Sequence, residues 1–160
     1  VHEVCLSPFK MDKYEVTQSA YQANLDRNPS RFVGAKLPVE RVNWPDANEY
    51  CRKLGKRLPT EAEWELSARS MTTSEYWTGE GSFLGGDYST NICASSVTIN
   101  DDVSNPYLSD YAWFCGNSNY STQAVAQLLP NGFGLYDMHG NVWEWTHDWL
   151  DGGAFPAIQL

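Results

Sequence analysis

The sequence predicts an α+β domain with few regular elements and much irregular backbone, and three observations carry that reading. Segments after Glu15, Trp44 and Pro59 show helix start signals, and an interrupted apolar run near the N-terminus reads as one or two strands. Aromatic residues make up 14% of the chain and charged residues only 19%, with seven tryptophans in 160 residues. Between the charged segments lie stretches of Gly, Asn, Ser and Tyr, the profile of loops hung on large anchors rather than of a helical bundle. The length suits one domain with a real core.

Val4, Leu6, Phe9 and Met11 form the interrupted apolar run, so a strand or two is expected between Val4 and Tyr14. Glu15-Val16-Thr17 opens the first helix. Thr17 can cap its free amides, Tyr21 and Leu25 recur at i, i+4, and Asn28-Pro29 is the expected stop. A second helix follows Val42-Asn43-Trp44, with Pro45 in its first turn, where a missing N–H costs nothing. Ala47, Tyr50, Cys51 and Leu54 form its apolar stripe, and Gly55 is the natural stop. Thr60-Glu61-Ala62-Glu63 is a capping box that starts a third helix, with Trp64 just inside and the signal ending after Arg69. From Thr72 to Pro130 turn residues dominate, with Trp77, Trp113 and Phe114 as anchors. An irregular stretch of that length fits a compact domain only if something pins it, such as ions or disulfides.

Charge and cysteine usage exclude several functions. Twenty acidic residues against eleven basic ones give a net charge of −9, which repels phosphate backbones and argues against a nucleic-acid partner. Oxygen-rich acidic surfaces do suit hard cations such as calcium. No apolar run reaches the roughly 18 residues of a membrane span. Cys5, Cys51, Cys93 and Cys115 include no C-x-x-C pair and no histidine at zinc-ligand spacing, which argues against a structural zinc site. Their pairing stays open between buried thiols and three possible disulfide connectivities.

Three ordered blocks carry a family resemblance. The first is Phe9-Lys10-Met11-Asp12-Lys13-Tyr14-Glu15-Val16-Thr17 with Tyr21. The second runs from Leu37-Pro38-Val39-Glu40-Arg41-Val42-Asn43-Trp44 through Tyr50-Cys51 to Gly55-Lys56-Arg57-Leu58-Pro59-Thr60-Glu61-Ala62-Glu63-Trp64-Glu65. The third is Pro130-Asn131-Gly132-Phe133-Gly134-Leu135-Tyr136-Asp137-Met138-His139-Gly140-Asn141-Val142-Trp143-Glu144-Trp145. Together they resemble the signature blocks of the formylglycine-generating enzyme (sulfatase-modifying factor) family, over nearly the whole chain.

The resemblance implies an α+β fold akin to the C-type lectins, loop-rich with few regular elements. It implies the family activity too: oxidation of one cysteine to formylglycine in a sulfatase or other protein or peptide substrate carrying C-x-P-x-R. That chemistry uses molecular oxygen and copper(I) held by two thiolates, a soft pair for a soft ion. In the family those cysteines follow the tryptophan-rich block, and the chain stops at Leu160 before any such segment. Residues 1–160 are therefore expected to be a single domain incomplete at the C-terminus, and the start at Val1 fits a cut at the N-terminus. No catalytic residue is assigned, copper is expected only in the full-length family enzyme, and the fragment itself is expected to be inactive. Cys51 matches a family half-cystine whose partner lies in the missing tail, so it is expected in the apolar stripe and unpaired within this chain. Cys93 and Cys115 match no catalytic position. The compartment stays open, with an extracytoplasmic one slightly favoured.

The chemistry that remains centres on residues 137–144. If the stretch is extended, positions 140, 142 and 144 project to one side and Asp137 reaches back through the turn at Gly140. Carboxylates of Asp137 and Glu144 with the carbonyls of Gly140 and Val142 would make an oxygen cage of calcium type, and the resemblance points to the same four positions. The alternative is two solvated carboxylates beside an aromatic cluster. Asn91-Ile92 resembles the family's other calcium-binding dipeptide, with Asp110 and the Ala112 carbonyl to complete a second site. By resemblance Trp143 faces the substrate groove, whereas Trp145 and Trp149 suit a structural role equally well. His139 and His147 lack the spacing of an iron site, and Asn119-Tyr120-Ser121 fits a glycosylation sequon. Two non-oxidase readings remain: a ligand-binding module of the same fold, and an accessory domain of a non-haem-iron sulfoxide synthase.

Overall fold

The structure, a computed structural model, describes residues 5–73, 77, 108–148 and 157–158. Local side-chain chemistry starts each of its three α-helices. Helix α1 spans Gln18–Leu25, where Thr17 Oγ1 accepts from the Ala20 amide at 3.3 Å. Helix α2 spans Trp44–Lys53, where Asn43 Oδ1 accepts from the Asp46 amide at 2.9 Å. Helix α3 spans Glu61–Arg69 and opens on the expected capping box, with Thr60 and Glu63 satisfying each other's amides. Arg57 grips Glu63 through two 2.6 Å bonds, and that pairing, with the amide of Thr60, holds the carboxyl down at about 2.

The helix ends follow the same logic, with one correction. Gly55 follows α2 with φ +67°, a conformation that suits glycine, as expected. Helix α1 stops at Leu25, before Asn28-Pro29, because Asp26 turns left-handed at φ 55° and its amide closes on the Gln22 carbonyl. Along α2 only Tyr50 of the expected stripe is buried. Ala47 and Cys51 are half-buried, and Leu54 is 39% exposed at the helix end. Tyr50 stacks on Tyr21 of α1, ring centroids 5.4 Å apart.

The N-terminal strand expectation fails among the described residues. Residues 5–14 are irregular; Met11 packs against the core, and the Lys13 carbonyl accepts a single cross-chain bond from the Tyr136 amide at 2.8 Å. One such bond does not make a ladder. The strands lie elsewhere: β1, Glu144–Trp145, pairs antiparallel with β2, Ala157–Ile158, Glu144 facing Ile158. An isolated bridge joins Thr17 to Pro38.

Two apolar clusters form the core. Trp64, Ala68, Leu135 and Met138 make one, and Leu108 and Ala112 with Phe114 make the other, around a 3₁₀ turn at Leu108–Asp110. Trp77 meets Tyr111 edge-on, with centroids 4.8 Å apart. Buried amide side chains pin the described loops. Gln18, 2% exposed, donates to the carbonyls of Phe32 and Pro38 and accepts from Asn28 and Gly34. Asn131, 6% exposed, donates to the Ser67 carbonyl and accepts from the amides of Phe133 and Leu135. Each satisfies several backbone groups at once, which stabilises irregular chain without a helix or sheet. No helix among the described residues is long and apolar enough to cross a membrane.

Candidate cation and substrate site

The tryptophan-rich block is tied to the helices by indole N–H groups. Trp64 of α3 donates to Glu144 Oε2 at 2.8 Å, Trp145 donates to the Val42 carbonyl at 2.8 Å, and Trp44 donates to the Thr146 carbonyl at 2.8 Å. The His147 amide adds a bond to the Pro59 carbonyl at 2.7 Å. Trp143 is different: it is 61% exposed, an unusual exposure for so large an apolar surface. Trp145 is thereby an anchor, while Trp149 lies outside the described residues.

Residues 137–142 form a turn rather than the regular extended stretch expected. Asp137 and Asn141 both hold positive φ, 60° and 66°, so the simple alternation of 140, 142 and 144 does not apply through the turn. The turn lies hard against Trp113. A Cβ on Gly140 would stand 2.1 Å from the Trp113 carbonyl oxygen, and the Asn141 amide donates to that same oxygen at 2.8 Å. Glycine is required by contact here.

The four predicted positions are close together in the chain, and the structure adds a fifth residue that sequence reasoning missed. Asp137 is 2% exposed; its Oδ2 accepts from the Ala126 amide at 2.7 Å, while its Oδ1 is buried with no hydrogen-bond partner. Glu144 is partly buried, and its carboxyl is pushed up to about 7 by burial, then by Asp137, with the Trp64 bond opposing. Glu15, 9% exposed, is raised well above the usual range by burial, then by Glu144 and Asp137, against the lowering effect of its bonds from Val142 and Asn141. Three carboxyls thus share one low-dielectric region with no compensating cation side chain among these influences. Among the described residues no three His, Cys, Asp or Glu side chains converge as a metal-binding group. A cation here would rely on backbone carbonyls as well, which is the mixed oxygen set that calcium accepts. The orphaned Asp137 oxygen and the unrelieved acidity fit such an ion.

The other predicted residues are scattered. Asp110 is exposed at the end of the 3₁₀ turn, and its carbonyl accepts from Leu129. The carbonyl of buried Ala112 accepts from Asn117 Nδ2 at 2.9 Å, and Asn91 and Ile92 lie outside the described residues. Cys5 and Cys51 are free thiols, no disulfide joins either of them to Cys115, and Cys93 lies outside the described residues. The Cys51 thiol is raised by burial and then by Asp12, with Lys56 opposing. His139 is buried and His147 is exposed against Trp44, while Asn119 and Tyr120 sit on an exposed turn.

Comparison with known proteins bears on the family and the fold. Residues 1–154 match the family described as "Sulfatase-modifying factor enzyme 1-like domain". The formylglycine-generating enzyme of Mycobacterium tuberculosis is 43% identical over 68% of this chain, and chaperone protein LppX of Paenibacillus barcinonensis is 31% identical over 91% of it. The chain spans 32% of the former and 64% of the latter. Among solved structures, Treponema denticola variable protein 1 superposes with a TM-score of 0.64 at 28% identity, over 91% of this chain and 64% of that one. With the three ordered signature blocks and this loop-rich fold, the chain belongs to the formylglycine-generating enzyme (sulfatase-modifying factor) family.

Proposed function

We propose that this chain is the body of a formylglycine-generating-enzyme-like protein, one that presents a protein or peptide substrate to a groove walled by Trp143. In this reading a calcium ion at Asp137, Gly140, Val142 and Glu144 holds the tryptophan block in place. The buried, unpartnered Asp137 Oδ1 carries the reading, since a desolvated carboxylate oxygen costs several kcal/mol unless something pairs with it. Calcium would supply charge neutralisation and a fixed coordination frame. The chain's own residues do the rest: Trp64 orients Glu144, and Trp145 and Trp44 fasten the two residues that follow it.

The 160-residue polypeptide itself is expected not to oxidise cysteine, since its only four cysteines match no copper-binding pair of the family. Incubation with copper(I), oxygen, a reductant and a C-x-P-x-R peptide, followed by mass spectrometry, tests this; conversion above a no-protein control refutes it. Thermal unfolding in calcium and in chelator tests the metal, and equal melting temperatures refute it. The second reading is a ligand-binding module of the same fold. It draws support from the chain-wide likeness to LppX and to the Treponema variable protein, each over 91% of the chain. Binding of a peptide without its conversion, dependent on Trp143, favours that module.

A further inference from the structure

We infer that Glu15 is the positioning residue of the cation site, orienting the 140–142 turn and adding its negative charge without ligating the ion. The inference rests on the calcium reading above and goes beyond it, since Glu15 lies in the first signature block, far from the proposed ligands. Both of its carboxylate oxygens are engaged. Oε2 accepts from Asn141 Nδ2 at 2.8 Å, and Oε1 accepts from the Val142 amide at 3.1 Å. Asn141 is held from its other side by Gln123, whose amide donates to Oδ1 at 2.9 Å and whose carbonyl accepts from Nδ2 at 3.1 Å.

Two successive peptide planes are oriented here, one by Trp113 and the next by Glu15. The Asn141 amide points at the Trp113 carbonyl, so across a planar trans peptide the Gly140 carbonyl points away from Trp113. The Val142 amide points at Glu15, which sets the 141–142 plane, the link between Gly140 and Val142, the two residues whose carbonyls the cation would use. Glu15 also feels both Glu144 and Asp137 electrostatically, which places its charge near theirs. Within that grouping Asp137 is 2% exposed, and its Oδ1 is buried with no hydrogen-bond partner. Charge count and rigidity are the two properties that tune calcium affinity, and Glu15 supplies both.

The test measures affinity for metal rather than any activity. Calcium and terbium are titrated into the chain by calorimetry and by tryptophan-sensitised terbium luminescence, Trp64 being bonded directly to Glu144. Glu15→Gln keeps the size and removes the charge, and it turns an NH₂ toward one of the two donors. It should weaken both metals about 10- to 100-fold, the usual cost of losing a partner that orients ligands. Glu15→Asp keeps the charge but shortens the reach, and should fall between Glu15→Gln and the parent. A purely structural Glu15 would lower the melting temperature equally in calcium and chelator and leave the dissociation constant unchanged, which overturns the inference. If Glu15→Gln does not fold, parent-like affinity in Glu15→Asp overturns it instead. A parent that binds neither ion overturns the calcium reading and this inference together, whereas a binding parent with an equally tight Glu15→Gln overturns this inference alone.

Discussion

Replacing Glu144 with glutamine should stabilise the metal-free domain and at the same time remove much of its response to calcium. The variant keeps the side-chain length and an oxygen that can accept from Trp64. What it loses is a charge that the fold holds at a cost. With its carboxyl raised from 4.5 to about 7, the folded protein binds that proton more tightly than the unfolded chain does. The stability contributed is complete below pH 4.5 and is lost as pH rises through 7. The gap corresponds to roughly 3 kcal/mol by pH 8. Glutamine avoids that penalty. For a chain of this size each kcal/mol moves the melting temperature by about 2–4 °C, so Glu144→Gln in chelator at pH 8 should melt higher by up to roughly 6–12 °C. Near pH 4 the gain should vanish. In calcium the order should close or reverse, because the parent gains about 2.7 kcal/mol at a hundredfold excess over Kd and the variant gains much less. Scanning calorimetry at pH 4 and pH 8, with calcium or chelator, reads all four conditions. A variant that melts below the parent in chelator at pH 8, or responds to calcium as fully as the parent, refutes the reasoning.

Asp137→Asn should likewise shrink the calcium response in the same calorimetry, because it too removes one charge while leaving an amide oxygen. Gly140→Ala drives a Cβ into the Trp113 carbonyl oxygen at 2.1 Å and should cost about 3 kcal/mol or more, read by urea unfolding. Trp143→Ala should leave stability within about 0.5 kcal/mol, as its side chain is largely exposed, yet weaken peptide binding tenfold or more by fluorescence anisotropy. Burial lowers His139 to about 4, so its contribution is present above pH 6.5 and is lost as pH falls through 4. That trend opposes the one from Glu144. Glu15 and Asp137 are raised as well, so three carboxyls outweigh the one histidine: metal-free stability of the parent should rise as pH falls from about 6.5 to 4.5, and Glu144→Gln should rise less.

Local chemistry is what the sequence by itself determined. Thr17, Gly55 and the Thr60–Glu63 box act on amides and carbonyls within a few residues of themselves, so the three helix starts and the second helix's stop were legible from neighbours alone. The signature blocks identified the family for the same reason, being contiguous. Where an element needs a partner, neighbours were silent: the apolar run after Cys5 found one cross-chain bond and no ladder, and Leu54 found no core to enter. Tertiary structure alone brought Glu15 to a turn 126 residues downstream, Trp64 to Glu144 across 80 residues, and Trp113 against Gly140. It alone left an Asp137 oxygen buried without a donor. A hydrogen bond or a desolvation cost depends on what lies within a few ångströms in space, and a linear pattern carries that information only when the chain returns to itself at once.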